Sequence, residues 1–179
     1  MTDDTPLPSH WSIDLLIEDE TWLRLCPPVE ALVMEVSRVV GEDPDVVAHV
    51  RSGSTVAISL ASDDRVKGLN AQYRGKDKPT NVLSFPNDDS VALPGEPPHL
   101  GDIMLARGVV EAEALDQNKS IENHIAHLVT HGLLHLVGYD HIEDEDADMM
   151  EGLEADILAR MGITNPYTAP SPDEKERAR

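Results

Sequence analysis

Cysteine is nearly absent: Cys26 stands alone in 179 residues. No disulfide can close within the chain, and a cytoplasmic setting is the default expectation. Aromatic residues are also scarce, with two Trp, three Tyr and one Phe, which leaves little surface for stacking nucleobases. No apolar run approaches the roughly 18 residues that suggest a membrane span. The opening Met1-Thr-Asp-Asp-Thr-Pro lacks the basic-then-apolar layout of a signal peptide. Positive charge is in short supply, with 14 Lys/Arg against 34 Asp/Glu for a net charge of -20. A field of that sign repels polyanions, so neither DNA nor a membrane is an expected partner.

What is present suits one globular domain, with 40% hydrophobic residues. We read 1–10 as a loose arm, 11–164 as the domain and 165–179 as a Pro- and charge-rich disordered tail. Alternation over Ile13, Leu15 and Ile17 predicts a strand. Pro27-Pro28 opens a helix whose apolar positions from Val29 to Val40 keep the 3.6 period until Gly41. Val46 to Arg51 and Thr55 to Leu60, around Ser52-Gly53, predict a hairpin. Ser62 caps a helix leading to Arg74. Strands are expected over Asn81–Pro86 and His99–Ala106, with a loop or excursion at 87–98. Helices follow at Gly108–Asn118, from Ser120, and from the acidic run Glu143-Asp-Glu-Asp, whose carboxylates suit the unpaired N–H groups of a helix N-terminus. The expected architecture is α+β, with a mixed sheet of about four strands flanked by helices.

The chemistry concentrates in His131-Gly-Leu-Leu-His135-Leu-Val-Gly138-Tyr-Asp-His141. His131 and His135 are i and i+4, on one face of a helix. Gly138 falls where a helix end needs positive φ, and the returning chain brings His141 beside the other two. Three neutral imidazoles predict a mononuclear metal site with one position open for water. His127, one turn earlier, is expected to line the cleft or to hydrogen-bond behind a ligand. Asp140 is a second such candidate. His124 is a further turn away, and Asp102 is a weaker support from a strand. Metzincin proteases share the spacing but carry Glu after the first His, as the general base; here that position is Gly132. Three neutral ligands leave the ion's charge uncancelled, which suits an anionic phosphodiester. Five of the Lys/Arg lie between Arg65 and Lys78. Among them Arg74 best fits a phosphate clamp, because its planar fork matches two oxygens. Three imidazoles also suit nickel, copper or iron.

The histidine segment resembles the signature of the YbeY family of bacterial metallo-endoribonucleases. Leu69-Asn-Ala-Gln-Tyr-Arg74-Gly-Lys-Asp-Lys-Pro-Thr-Asn-Val-Leu-Ser-Phe-Pro86 resembles that family's second signature, and Leu100-Gly-Asp-Ile103 also matches. The resemblance runs from about residue 12 to 163. It implies a zincin-like fold, one zinc ion on His131, His135 and His141, and a functional arginine at Arg74. It further implies cleavage of single-stranded RNA, maturation of the 3′ end of small-subunit ribosomal RNA, and ribosome quality control. The acidity suggests that the ribosome or small-subunit proteins supply affinity. Two rivals remain at this stage: a zinc peptidase of metzincin-like geometry, and a non-enzymatic, metal-stabilised ribosome-associated factor.

Overall fold

Strand β1 (Trp11–Ile17) turns Ile13, Leu15 and Ile17 toward the core and Ser12, Asp14 and Leu16 toward water. The computed structural model describes residues 10–88, 93–140 and 142–167. His141, most of the expected arm and tail, and part of the 87–98 loop lie outside the described residues. After β1 come the short helices α1 (Trp22–Leu25) and α3 (Pro44–Val47), with α2 (Val29–Gly41) between them. Next are β2 (Ser54–Ala61), α4 (Asp63–Arg74), β3 (Val82–Pro86) and β4 (His99–Ala106). The chain then forms α5 (Arg107–Asp116), α6 (Ile121–Val137) and α7 (Asp144–Arg160). Among the described residues no helix is long and apolar enough to cross a membrane.

The four strands form one sheet in the order β1-β2-β4-β3. β1 and β4 both run parallel to β2, and β3 is antiparallel to β4. This is the mixed α+β architecture expected from the sequence. The hairpin around Ser52-Gly53 does not form. Asp43 caps a helical turn there, its Oδ1 accepting from the N–H groups of Asp45 at 2.9 Å and Val46 at 3.4 Å. Pro44 then presets the first helical φ. Those local bonds outweigh the β-branched character of Val46 and Val47, and Val46 is buried as part of α3. β1 and β2 are parallel neighbours, which a tight turn cannot join, so α1 to α3 form the crossover.

Alternation along the central strands feeds two apolar layers. Val56, Ile58, Leu60, Ile103 and Leu105 share one core with α2, α6 and α7. Leu83, Met104 and Ala106 share a smaller one with Val66 and Leu69 of α4. α6 is buried along most of its circumference, through Ile125, Ala126, Leu128, Val129, Gly132, Leu133, Leu134 and Leu136. Each large aliphatic there contributes roughly 1.5–3 kcal/mol by leaving water. Gly132 marks the close approach of α6 to the sheet, since a Cβ there would stand 3.1 Å from the side chain of Ile103.

β4 carries one extra residue against β2, because Thr55 pairs with His99 and Val56 with Gly101. Gly101 follows that bulge with φ 145°, and a Cβ on it would meet the Phe85 carbonyl oxygen at 2.3 Å. Gly101→Ala is therefore expected to destabilise the fold by about 2–3 kcal/mol. Gly68→Ala, at a helical site in α4 where nothing lies within 4 Å, is expected to be neutral or to stabilise by up to ~1 kcal/mol. Urea unfolding of the two variants beside the parent chain checks both signs.

Candidate functional site

Along α6 a stripe of histidines at 124, 127, 131 and 135 runs beside the apolar face. Ser120 starts the helix by accepting from the Asn123 N–H at 3.1 Å. Gly138 ends it with φ 109°, its N–H donating to the His135 carbonyl at 3.1 Å. The Nε2 atoms of His131 and His135 face each other at 3.0 Å. His141 lies outside the described residues. Among those that are described, no group of three or more His, Cys, Asp or Glu is arranged to hold a metal ion. The described part of the predicted centre is therefore an imidazole pair.

His131 and His135 line a cleft of about 420 Å³ together with Arg74, Asn81, Ser84 and Asp140. Three elements meet there: the C-terminal end of α4, the outer edge of β3 and the last two turns of α6. Arg74 is the last residue of α4, and its Nη2 donates to the Ser84 carbonyl at 3.2 Å. The basic loop after it is tied down as well. Asn70, buried in α4, donates from Nδ2 to the Lys78 carbonyl at 2.8 Å, and Lys76 and Lys78 of this loop are exposed.

β3 is an edge strand, and its pairing decides which backbone groups face the cleft. Asn81 and Asn87 bond to β4 through their main chain. By the antiparallel alternation, Val82, Ser84 and Pro86 turn their backbone outward, and all three line the cleft. The Val82 N–H is covered by Asn81 Oδ1 at 2.7 Å, the Ser84 carbonyl by Arg74, and Pro86 has no N–H. These three features reduce what the edge offers to another strand.

A carboxylate that the sequence reading passed over stands behind His131. Glu154 of α7 is fully buried, and its Oε1 is hydrogen-bonded to His131 Nδ1. Its Oε2 accepts from the Tyr167 hydroxyl and lies 3.4 Å from His127 Nε2. Burial pushes the Glu154 carboxyl upward. Hydrogen bonds from His127 and His131, the His131 charge and the Tyr167 hydroxyl outweigh it and hold the group at about 2. Burial first, then the bond to Glu154, pushes the Tyr167 hydroxyl up, so it stays a donor. The sequence signal was available: Glu154 falls on the apolar face of α7 with Met150, Ile157 and Leu158, where an unpaired acid is costly. Tyr167 belongs to the stretch expected as a tail, yet its ring packs edge-on against His127 at 5.5 Å between centroids.

The other candidates fall elsewhere. His127 does not line the cleft, being engaged with Glu154 and Tyr167. Asp102 points away from α6, on the face of β4 opposite Ile103, with His99 Nε2 at 3.5 Å. His124 is buried and bonded through Nε2 to Glu113 at 2.8 Å. Glu113 in turn accepts from Asn81 Nδ2 at 3.0 Å, so this trio fixes the start of β3 under the cleft.

Comparison with known proteins agrees with this architecture. A family model described as endoribonuclease YbeY matches residues 26–162. The chain is 52% identical over 152 residues to the endoribonuclease YbeY of Paramagnetospirillum magneticum, covering 82% of this chain and 89% of the relative. It is 40% identical over 161 residues to that of Maricaulis maris, covering 90% and 94%. The solution structure of a Thermotoga maritima protein superposes with a TM-score of 0.50 at 26% identity, covering 90% of this chain and 98% of the other.

His124 makes the stability of the site's support depend on pH. Burial pushes its imidazole below the ordinary 6.5, against the pull of Glu113. A group with a depressed folded pKa takes up its proton more readily when unfolded. Its contribution is complete above 6.5 and is lost as the pH falls below that value. His124→Gln keeps an N–H for Glu113 and has no proton to gain. Urea midpoints at about pH 7.5 and about pH 5.5 are expected to differ less in this variant than in the parent chain.

Proposed function

The chain belongs to the YbeY family of endoribonucleases, and from that premise we propose that it cuts single-stranded RNA at a zinc centre held by His131, His135 and His141. We further propose that it acts in 3′-end maturation of small-subunit ribosomal RNA and in late ribosome quality control, in the cytoplasm. One observation carries the reading. Two imidazole Nε2 atoms converge to 3.0 Å in a cleft that also holds a guanidinium. Two nitrogens each ~2.0–2.1 Å from one zinc ion stand at roughly this separation. The buried carboxylate on Nδ1 of His131 is the usual companion of a ligating imidazole. The donor set therefore fits zinc, and the same imidazoles fit nickel. An edge strand beside the histidine helix also supports a zincin-like fold.

When bound, the ion supplies a Lewis acid for a phosphoryl oxygen and lowers the pKa of water toward ~7. The chain supplies the rest. His131 and His135 present Nε2 lone pairs from one helical face. Arg74, anchored on Ser84, brings a fixed positive charge to the phosphate as negative charge develops. Lys76 and Lys78 extend that charge along the strand entering the cleft. The net charge of -20 limits unaided affinity, which supports a ribosomal partner at the site of action.

The peptidase reading loses support from two features. Position 132 faces Ile103 within the core, so a residue there cannot present a base to the cleft. Along the outward side of β3 the Val82 N–H and the Ser84 carbonyl are already engaged and Pro86 has no N–H, which leaves an extended peptide fewer partners.

His131→Ala is expected to lose metal and RNA cleavage while remaining folded, and metal analysis beside a cleavage assay checks this. Cleavage that survives the loss of metal would leave the centre without a catalytic role. Full biological activity without cleavage would favour the structural factor instead. Arg74→Ala is expected to lower kcat about 10²-fold or more, with Arg74→Lys intermediate. A 2′,3′-cyclic phosphate on the product assigns the attack to the RNA's own 2′-hydroxyl; a simple phosphate terminus assigns it to water. Lys76→Ala with Lys78→Ala is expected to flatten the salt dependence of RNA binding by about 0.7 per lost phosphate contact.

A further inference from the structure

The cluster around Glu154 draws on three separate parts of the chain. His127 and His131 come from α6, Glu154 from α7, and Tyr167 from the segment after α7. Glu154 has no exposed surface, and a buried carboxylate is retained at a cost of several kcal/mol unless its oxygens are satisfied. Both oxygens are. Oε1 takes His131 Nδ1, while Oε2 takes the Tyr167 hydroxyl and faces His127 Nε2.

The ionised carboxylate has only lone pairs to offer, so the proton in the His131–Glu154 bond resides on Nδ1. A neutral His131 then has its lone pair on Nε2, the atom that meets His135 in the cleft. The ring cannot turn over without leaving Glu154 buried against a carbon or a second lone pair. Tyr167, whose ring also stacks edge-on against His127, fills the other oxygen and prevents the carboxylate from swinging away.

We propose that Glu154, steadied by Tyr167, is a positioning residue that locks His131 in the Nδ1–H tautomer, so that Nε2 is preset as a metal ligand before any ion arrives. The chain therefore needs its C-terminal segment as far as Tyr167 for a fully organised centre. This inference rests on the zinc reading for its purpose, but the tautomer itself is a property of the metal-free chain.

Two readouts on the full-length protein separate the inference from that reading. Nitrogen-15 NMR of the metal-free chain reports which His131 nitrogen carries the proton. The parent is expected to show Nδ1–H. Glu154→Leu, which fills the same space without an acceptor, is expected to mix the tautomers; Glu154→Gln, which keeps one acceptor oxygen, is expected to restore Nδ1–H in large part. In chelator competition, Glu154→Leu is expected to bind zinc about 10–100-fold more weakly than the parent. Glu154→Gln and Tyr167→Phe should fall between. A parent chain with the proton on Nε2 overturns the proposal, and so does a folded Glu154→Leu with unchanged tautomer and zinc affinity. Should Glu154→Leu fail to fold, the parent tautomer together with Glu154→Gln decides the matter. A parent chain that shows Nδ1–H yet binds no zinc leaves the lock standing and removes the metal reading instead.

Discussion

The near-complete burial of α6 is the constraint from which the site follows. Aliphatic side chains from Ile125 to Leu136 are held between the sheet, α2 and α7. At roughly 1.5–3 kcal/mol for each large side chain, rotating this helix about its axis would cost an amount comparable with a typical domain's whole stability. With rotation fixed, the histidine stripe has one direction left. Its C-terminal half opens at the edge of β3, and its N-terminal half is closed in by Glu113, Glu154 and Tyr167. Four residues of one type and one stripe thus acquire different tasks from what each meets along the helix.

Gly132 shows how that constraint also settles chemistry. A side chain here would press on Ile103, so the helix approaches the sheet more closely than it otherwise could. The position that in metzincin proteases carries a base is used for packing in this protein. The edge of β3 is specialised in a related way. Arg74 holds the Ser84 carbonyl, Asn81 covers the Val82 N–H, and Pro86 has none to offer. An edge that could bind an extended peptide thus keeps fewer open backbone groups and carries a guanidinium suited to a phosphate.

Charge follows the same economy of placement. The chain is strongly acidic overall, yet five of its 14 Lys/Arg lie on α4 and the loop after it, where Asn70 holds the loop against the helix. Arg65 at the far end pairs with Glu18 at 3.4 Å. Lys76 and Lys78, in the loop that follows Arg74, remain exposed. An electrostatic site in such a protein depends on local geometry because the long-range field opposes it.

Much of this was legible in one dimension. Periodicity and caps determined α2, α4, α6 and most of α7, because an amphipathic helix with Ser120 before it and Gly138 after it has little else to become. The histidine spacing placed His131 and His135 on one face, alternation identified β1, and strands were expected where β2, β3 and β4 stand. Local signals misled at Val46 and Val47, where β-branched residues were drawn into a capped turn by Asp43 and Pro44. They were silent on strand order, since parallel pairing joins residues far apart in sequence. Only the tertiary structure decided that Glu154 stands behind His131 and that Tyr167 returns to cover it. A carboxylate on an apolar helical face can be recognised from sequence as an anomaly. The partner that satisfies it lies 23 residues away on another helix, and that pairing is set by how the two helices pack.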